Sequence, residues 1–234
     1  FESGLFERLR QVDVRRGAFF ALFTSRERLF KYLSCIVIAV PLWYVVGLLA
    51  TFASEFSRAL KISGTVVPGR AIMFTYLGLS VGDFLSGYLS QVFKTRKKII
   101  ITFIILLAII SAIQLTAFNA SSTFFYFMYF ALGIASGYWA VFMMNASEQF
   151  GTNLRSTVTT TAPNFVRGSV ILMTTSFQLI GRWYGDLIAA AMVGGICILL
   201  ALMAALSLKE TYGKDLDYTE SIESLRDFFR LIRT

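Results

Sequence analysis

Asp83 and Arg167 are the only charged residues inside the long apolar stretches of this chain, and their charges are opposite. By position along those stretches, Trp43, Tyr44, Tyr138, Trp139, Asn164 and Gln178 fall near them. One acid, one base, several rings and two amides are the ingredients of a small-molecule binding site. Arg167 is expected to hold an anionic group of a solute. Asp83 is expected to carry a proton, since an acid beside an arginine in a low-dielectric cavity can titrate as the cavity opens and closes. The plainer alternative is a structural ion pair, with the rings serving as packing side chains.

Other chemistry is excluded by what is missing. The chain has no histidine, which removes the commonest general base and metal ligand. Gly78-Leu-Ser80-Val-Gly82 fits the Gly-x-Ser-x-Gly pattern of serine hydrolases, but nothing here takes the serine proton. The same residues put Gly78 and Gly82 four apart on one helix face, with Gly87 beyond, and Gly133 and Gly137 repeat the spacing. Such spacing allows close helix packing. Cys35 and Cys197, each in an apolar stretch, support neither a disulfide scaffold nor a thiol metal site. No enzyme activity, metal or cofactor is expected.

These residues are positioned by elements that need lipid. Apolar residues make up 56% of the chain and charged ones 15%, and from Ile99 to Ser147 there is no Asp, Glu, Lys or Arg. A helix needs about 20 mostly apolar residues to cross a bilayer. Six stretches qualify: 32–54, 71–93, 99–118, 124–147, 157–181 and 187–208, with Asn119-Ala-Ser-Ser122 dividing the longest uncharged run. The third and sixth contain almost nothing but aliphatics, Gly, Ser and Thr, and are expected to face lipid. The other four carry the polar residues and are expected to face a cavity. The fold class is therefore an all-α integral membrane protein, a six-helix transmembrane bundle of two three-helix repeats. At about 1.5 Å per residue, Trp43, Asp83, Trp139 and Arg167 lie within roughly 5 Å of one plane. Pro41 and Pro163 sit inside the first and fifth stretches, freeing the carbonyls of Val37 and Thr159.

Most Lys and Arg residues lie at the termini and in loops 94–98 and 148–156, which places both termini in the cytoplasm. The net charge of +8 is thus a topology signal, and no nucleic-acid partner is implied. Segments 1–31 and 209–234 read as cytoplasmic flanks of the bundle at 32–208. Leu225, Phe228, Phe229 and Ile232 have the spacing of a surface-lying amphipathic helix. The chain opens at Phe1 in a charged segment without a leader pattern, and reads as a piece of something longer.

Four segments carry a family resemblance. Gly87-Tyr-Leu-Ser-Gln-Val-Phe-Lys-Thr-Arg96-Lys-Lys98 resembles the loop between the second and third helices of each half of the major facilitator superfamily. Gln91 stands there where the family has Asp, and Lys94 where it has Gly. Glu2-Ser3-x-x-Phe6 is similar to the signature after the family's sixth helix. Glu148-Gln-Phe-Gly-Thr152-Asn-Leu-Arg155 is similar to that after the tenth, with Gly151 replacing Pro. Lys209-Glu-Thr-Tyr-Gly213-Lys-Asp-Leu-Asp217 is similar to that after the twelfth. The resemblance implies the C-terminal half of a 12-helix, metabolite- or sugar-porter-like transporter in the cell (inner) membrane. Its partners would be the lipid bilayer, an N-terminal six-helix half and a small organic solute moved by alternating access or symport. It further implies that Arg96, Glu148 and Arg155 form a cytoplasmic gate. The segments with which sugar porters grip hexoses are missing, so a hexose is not implied. The alternative is a free-standing six-span scaffold or sensor whose basic termini bind a cytoplasmic partner.

Overall fold

The computed structural model describes residues 19–213, and every regular element among them is helical. A 3-10 turn at Phe19–Phe23 leads into α1 (Arg26–Trp43), which continues as a π-helical stretch, Tyr44–Ala50. The short α2 (Ala53–Ala59) and then α3 (Pro68–Val92) and α4 (Lys97–Leu115) follow. The second part of the chain forms α5 (Ser122–Ser136), α6 (Trp139–Glu148), α7 (Thr152–Tyr184) and α8 (Asp186–Ser207). The Glu2-Ser3-x-x-Phe6 segment, the residues after Gly213 and the tail helix anticipated around Leu225 lie outside the described residues.

Among the described residues, five helical stretches are long and apolar enough to cross a membrane: Arg26–Ala50, Pro68–Val92, Lys97–Leu115, Ser122–Glu148 and Asp186–Ser207. The chain is an all-α membrane protein on that ground. The anticipated span 157–181 lies within α7. At 33 residues α7 is about 50 Å long, ample to cross. It falls short of the others in apolarity because Thr157, Thr159–Thr161, Asn164, Arg167, Thr174–Ser176 and Gln178 interrupt it.

The closest helix pair is α3 with α5, and glycine makes it close. A Cβ on Gly82 would sit 2.9 Å from Gly137 Cα, and one on Gly133 would sit 2.9 Å from Gly78 Cα. Gly78, Gly82, Gly133 and Gly137 therefore bring two backbones into direct contact, as their spacing anticipates. Gly87 does not join this seam, because nothing lies within 4 Å of where its Cβ would be. The span read as continuous over 124–147 is broken at the end of the seam. Gly137 (φ −77°, ψ 56°) and Tyr138 (φ −118°, ψ 18°) leave helical geometry between α5 and α6.

The third and sixth stretches are not uniformly exposed. Buried along α4 are Ile100, Ile104, Leu107, Ser111 and Gln114, and along α8 Ala189, Ala190, Val193, Gly194, Ala201 and Ala205. These stripes pack α4 and α8 against each other, with α5 and α1 on their flanks. Gln114 is a polar residue inside a stretch that reads as aliphatic, and it is 1% exposed. Ala190 is buried too, where lipid exposure was anticipated, because the Tyr44 hydroxyl donates to its carbonyl oxygen at 3.0 Å. Elsewhere α1 is tied down by Tyr138, which donates to the Ile38 carbonyl at 2.9 Å, and by Tyr32, which donates to Thr161 Oγ1 at 2.7 Å. Gly185, at φ 82°, makes the sharp joint between α7 and α8 in a backbone region that disfavours side chains.

Candidate functional site

A cleft of about 190 Å³ opens where the end of α1, the middle of α3, the start of α6 and the middle of α7 converge. Its walls are Leu42, Trp43, Val46, Tyr76, Leu79, Trp139 and Arg167. Each wall residue is delivered by a local feature. Trp43 ends α1 just before the π stretch, Trp139 opens α6 just after the Gly137–Tyr138 break, and Arg167 comes one turn after Pro163 in α7.

Arg167 is the one charged side chain in this lining. Its guanidinium lies over the Trp43 ring, 6.0 Å from the centroid, in cation–π geometry. Its Nη1 donates to the Asn164 side-chain oxygen at 3.5 Å, and Asn164 Nδ2 donates to the Thr160 carbonyl at 3.0 Å. A charge in mid-span costs about 2.5–3.5 kcal/mol on insertion scales, so a counter-charge is strongly favoured. Asp83 does not supply it. The Asp83 carboxylate instead accepts from the backbone N–H of Ala140 at 3.1 Å and is also met by the N–H of Trp139. The acid is spent on the exposed amides at the first turn of α6, as a helix cap provided from another helix. The structural ion pair is thereby corrected: the two charges of equal depth face different partners.

The other anticipated site residues divide. Trp43, Trp139 and Arg167 meet in the cleft, with Asn164 beside them. Tyr44 and Tyr138 do not line it. They are 1% and 0% exposed, and their hydroxyls are committed to the Ala190 and Ile38 carbonyls. Gln178 is exposed on α7, three turns and about 16 Å beyond Arg167. Tyr76 and Leu79 were missed. They precede Asp83 by seven and four residues, so the face bearing Asp83 was enough to find them. A larger groove of about 690 Å³ between α3 and α5 is lined by Met73, Phe74, Leu77 and rings of α5. It is an open apolar furrow with Arg70 at its rim, and offers a polar solute far less than the smaller cleft.

A second cluster closes the opposite, basic end, where the α3–α4 loop, the end of α6 and the segment after α8 interlock. Arg96, 7% exposed, places Nη2 3.4 Å from Glu148 Oε1, and Nη1 donates to Ser90 Oγ at 2.8 Å. Its guanidinium also lies 5.0 Å from the Tyr212 ring centroid. Thr211 Oγ1 donates to Glu148 Oε2 at 2.7 Å. Arg155 turns its Nε to the Ser147 carbonyl at 3.0 Å.

Glu210 is the hub that the sequence left unassigned. It accepts from the backbone N–H groups of Arg96 and Thr211 at 2.9 Å and of Tyr212 at 3.0 Å, and from the Thr95 hydroxyl. Burial pushes its carboxyl upward, but the Thr95 hydroxyl and these N–H groups outweigh that and bring it down to about 2. Lys97 completes the lock by donating through Nζ to the Leu208 carbonyl at 2.7 Å, at the open end of α8. Its place just after the sixth apolar stretch, in the Lys209-Glu-Thr-Tyr-Gly213 segment, was the available signal for Glu210.

Comparison with protein-family models and with curated proteins finds no match to this chain.

Proposed function

We propose that this chain is the C-terminal half of a major-facilitator-type secondary transporter, which moves a small organic solute across the cell (inner) membrane by alternating access. The observation that carries this reading is the mid-span cleft, where an arginine, two indoles and a phenol converge among apolar helices. In this reading α7 is also a crossing, the fifth of six in chain order, and its polar row faces water or a second bundle rather than lipid.

The helix pairing supports two three-helix repeats. The first repeat is α1 with α3 and α4; the second is α5 and α6 with α7 and α8. Exchanging the two repeats maps the α1–α7 contact onto α5–α3, maps α1–α8 onto α5–α4, and leaves α4–α8 unchanged. The α3 face beside the cleft exposes Tyr76, Leu77, Val81 and Phe84, a surface for an N-terminal six-helix half.

The basic end is the cytoplasmic gate, and its charge bias sets both termini of the chain in the cytoplasm. The short helix α6 runs from the cleft at Trp139 to the gate at Glu148, with its first turn held by Asp83. A proton on Asp83 weakens that hold, which couples protonation to both ends of α6.

Proteoliposomes containing the full-length protein test the proposal through uptake of labelled small organic solutes. Saturable uptake above protein-free vesicles supports it, as do six further spans encoded upstream of Phe1. A folded protein that moves none of them favours the scaffold reading instead.

A further inference from the structure

The geometry points to the class of solute: an organic monoanion with a flat apolar body, its carboxylate on Arg167 and its ring between Trp43, Trp139 and Tyr76. This rests on the reading of the cleft as the solute site. The charge argument comes first. Arg167 is the one charged side chain in the lining, and among the described residues its polar contacts are an amide oxygen and a ring face. The nearest mid-span acid, Asp83, is occupied by α6 amides. A guanidinium at that depth favours an anion, and a carboxylate meets it with two oxygens in its own plane.

Trp43, the residue under the guanidinium and part of the cleft wall, has a buried indole Nε1–H with no hydrogen-bond partner among the described residues.

Shape argues the rest. Apart from Arg167 the walls are two indoles, a phenol and three aliphatic side chains, which suit a planar apolar body and offer a polyhydroxylated solute almost no partners. Benzoate is the simplest solute that joins such a body to a carboxylate.

The test is equilibrium binding to the full-length protein in detergent or nanodiscs, measured by calorimetry, with benzoate, benzamide, benzylammonium and acetate as probes. Benzoate is expected to bind saturably and more tightly than its neutral isostere by roughly ten- to a hundredfold. Acetate lacks the ring and benzylammonium has the wrong charge, so both bind weakly. Arg167→Gln removes the preference for benzoate over benzamide. The four probes on unaltered protein decide the matter even if a variant fails to fold. Benzamide binding as tightly as benzoate overturns the inference, since the charge of Arg167 is then neutralised within the protein. Absence of benzoate binding overturns it as well. The two readings fail separately. Uptake of a solute with which benzoate does not compete sinks this inference and spares transport; benzoate binding without uptake of any solute does the reverse.

Discussion

Asp83 on α3 caps α6: its Oδ1 accepts from the backbone N–H of Ala140 at 3.1 Å, at the point where the fourth apolar stretch breaks. An asparagine keeps an acceptor oxygen in that place and an alanine does not. Asp83→Asn is therefore expected to melt close to the parent, whereas Asp83→Ala loses about 0.5–2 kcal/mol, the usual range for a lost cap. If Asp83 carries the coupling proton, Asp83→Asn also loses proton-driven accumulation while retaining solute exchange. Thermal melts beside uptake with and without a pH gradient separate the two roles.

The α3–α5 seam sets a second test. Gly82→Ala and Gly133→Ala force a methyl group against backbone, at a cost of about 1–3 kcal/mol or more. Gly87→Ala meets open space and gains helix propensity, so it is expected to be neutral or stabilising by up to about 1 kcal/mol. Denaturation in detergent ranks the three, and equal losses at all of them contradict the seam.

Neighbouring alanines on α8 give a third. Ala190 is buried under Tyr44 and Ala191 is exposed. Ala190→Leu overpacks the α1–α8 contact and is expected to cost about 1–3 kcal/mol, while Ala191→Leu stays within about 0.5 kcal/mol. A pair of melting curves is sufficient.

Glu210 predicts an acid-sensitive end. Its carboxyl is held near 2 in the folded protein, against about 4.3 for an ordinary Glu. A depressed carboxyl contributes stability that is fully present above the unfolded value and disappears as pH falls from about 4.3 toward 2. Melting temperature is therefore expected to drop over that window, and Glu210→Gln to drop less steeply there while starting lower at neutral pH. Identical profiles for the two proteins exclude Glu210 as the hub.

At the proposed gate, the side chains of Arg96 and Glu148 are 8% and 12% exposed, so their pair is shielded from solvent in a way that a surface pair is not. Glu148→Gln removes the charge and keeps an acceptor for Thr211. The expected effect is a shift toward the state open at this end, read as longer spin-label distances across it. Unchanged distances defeat the gate assignment.

Much of this was legible along the chain because lipid imposes a strong pattern. Uncharged stretches located the helices, and glycine spacing located the seam. Depth arithmetic brought Trp43, Trp139 and Arg167 to one level, and the cleft joins them. Depth fixes height alone, however, and rotation about each helix axis is set by packing. Tyr44 and Tyr138 share that level yet turn inward to carbonyl acceptors. Asp83 was paired with Arg167 because charge seeks charge, but the break at Gly137 exposed amides that took the carboxylate first. Backbone donors left by an irregular helix cannot be seen in a pattern of side chains. Gln114 shows the reverse error, in which a single amide disappears into an aliphatic run and proves buried.

Solute uptake by proteoliposomes of the full-length protein, compared among the parent, Arg167→Gln and Asp83→Asn/Arg167→Gln, bears directly on transport through the Arg167 cleft. Since Asp83 and Arg167 serve different partners, the double variant is expected to fold and to transport no better than Arg167→Gln, both far below the parent. Uptake restored in the double variant, or undiminished in Arg167→Gln, contradicts a cleft in which Arg167 receives the solute.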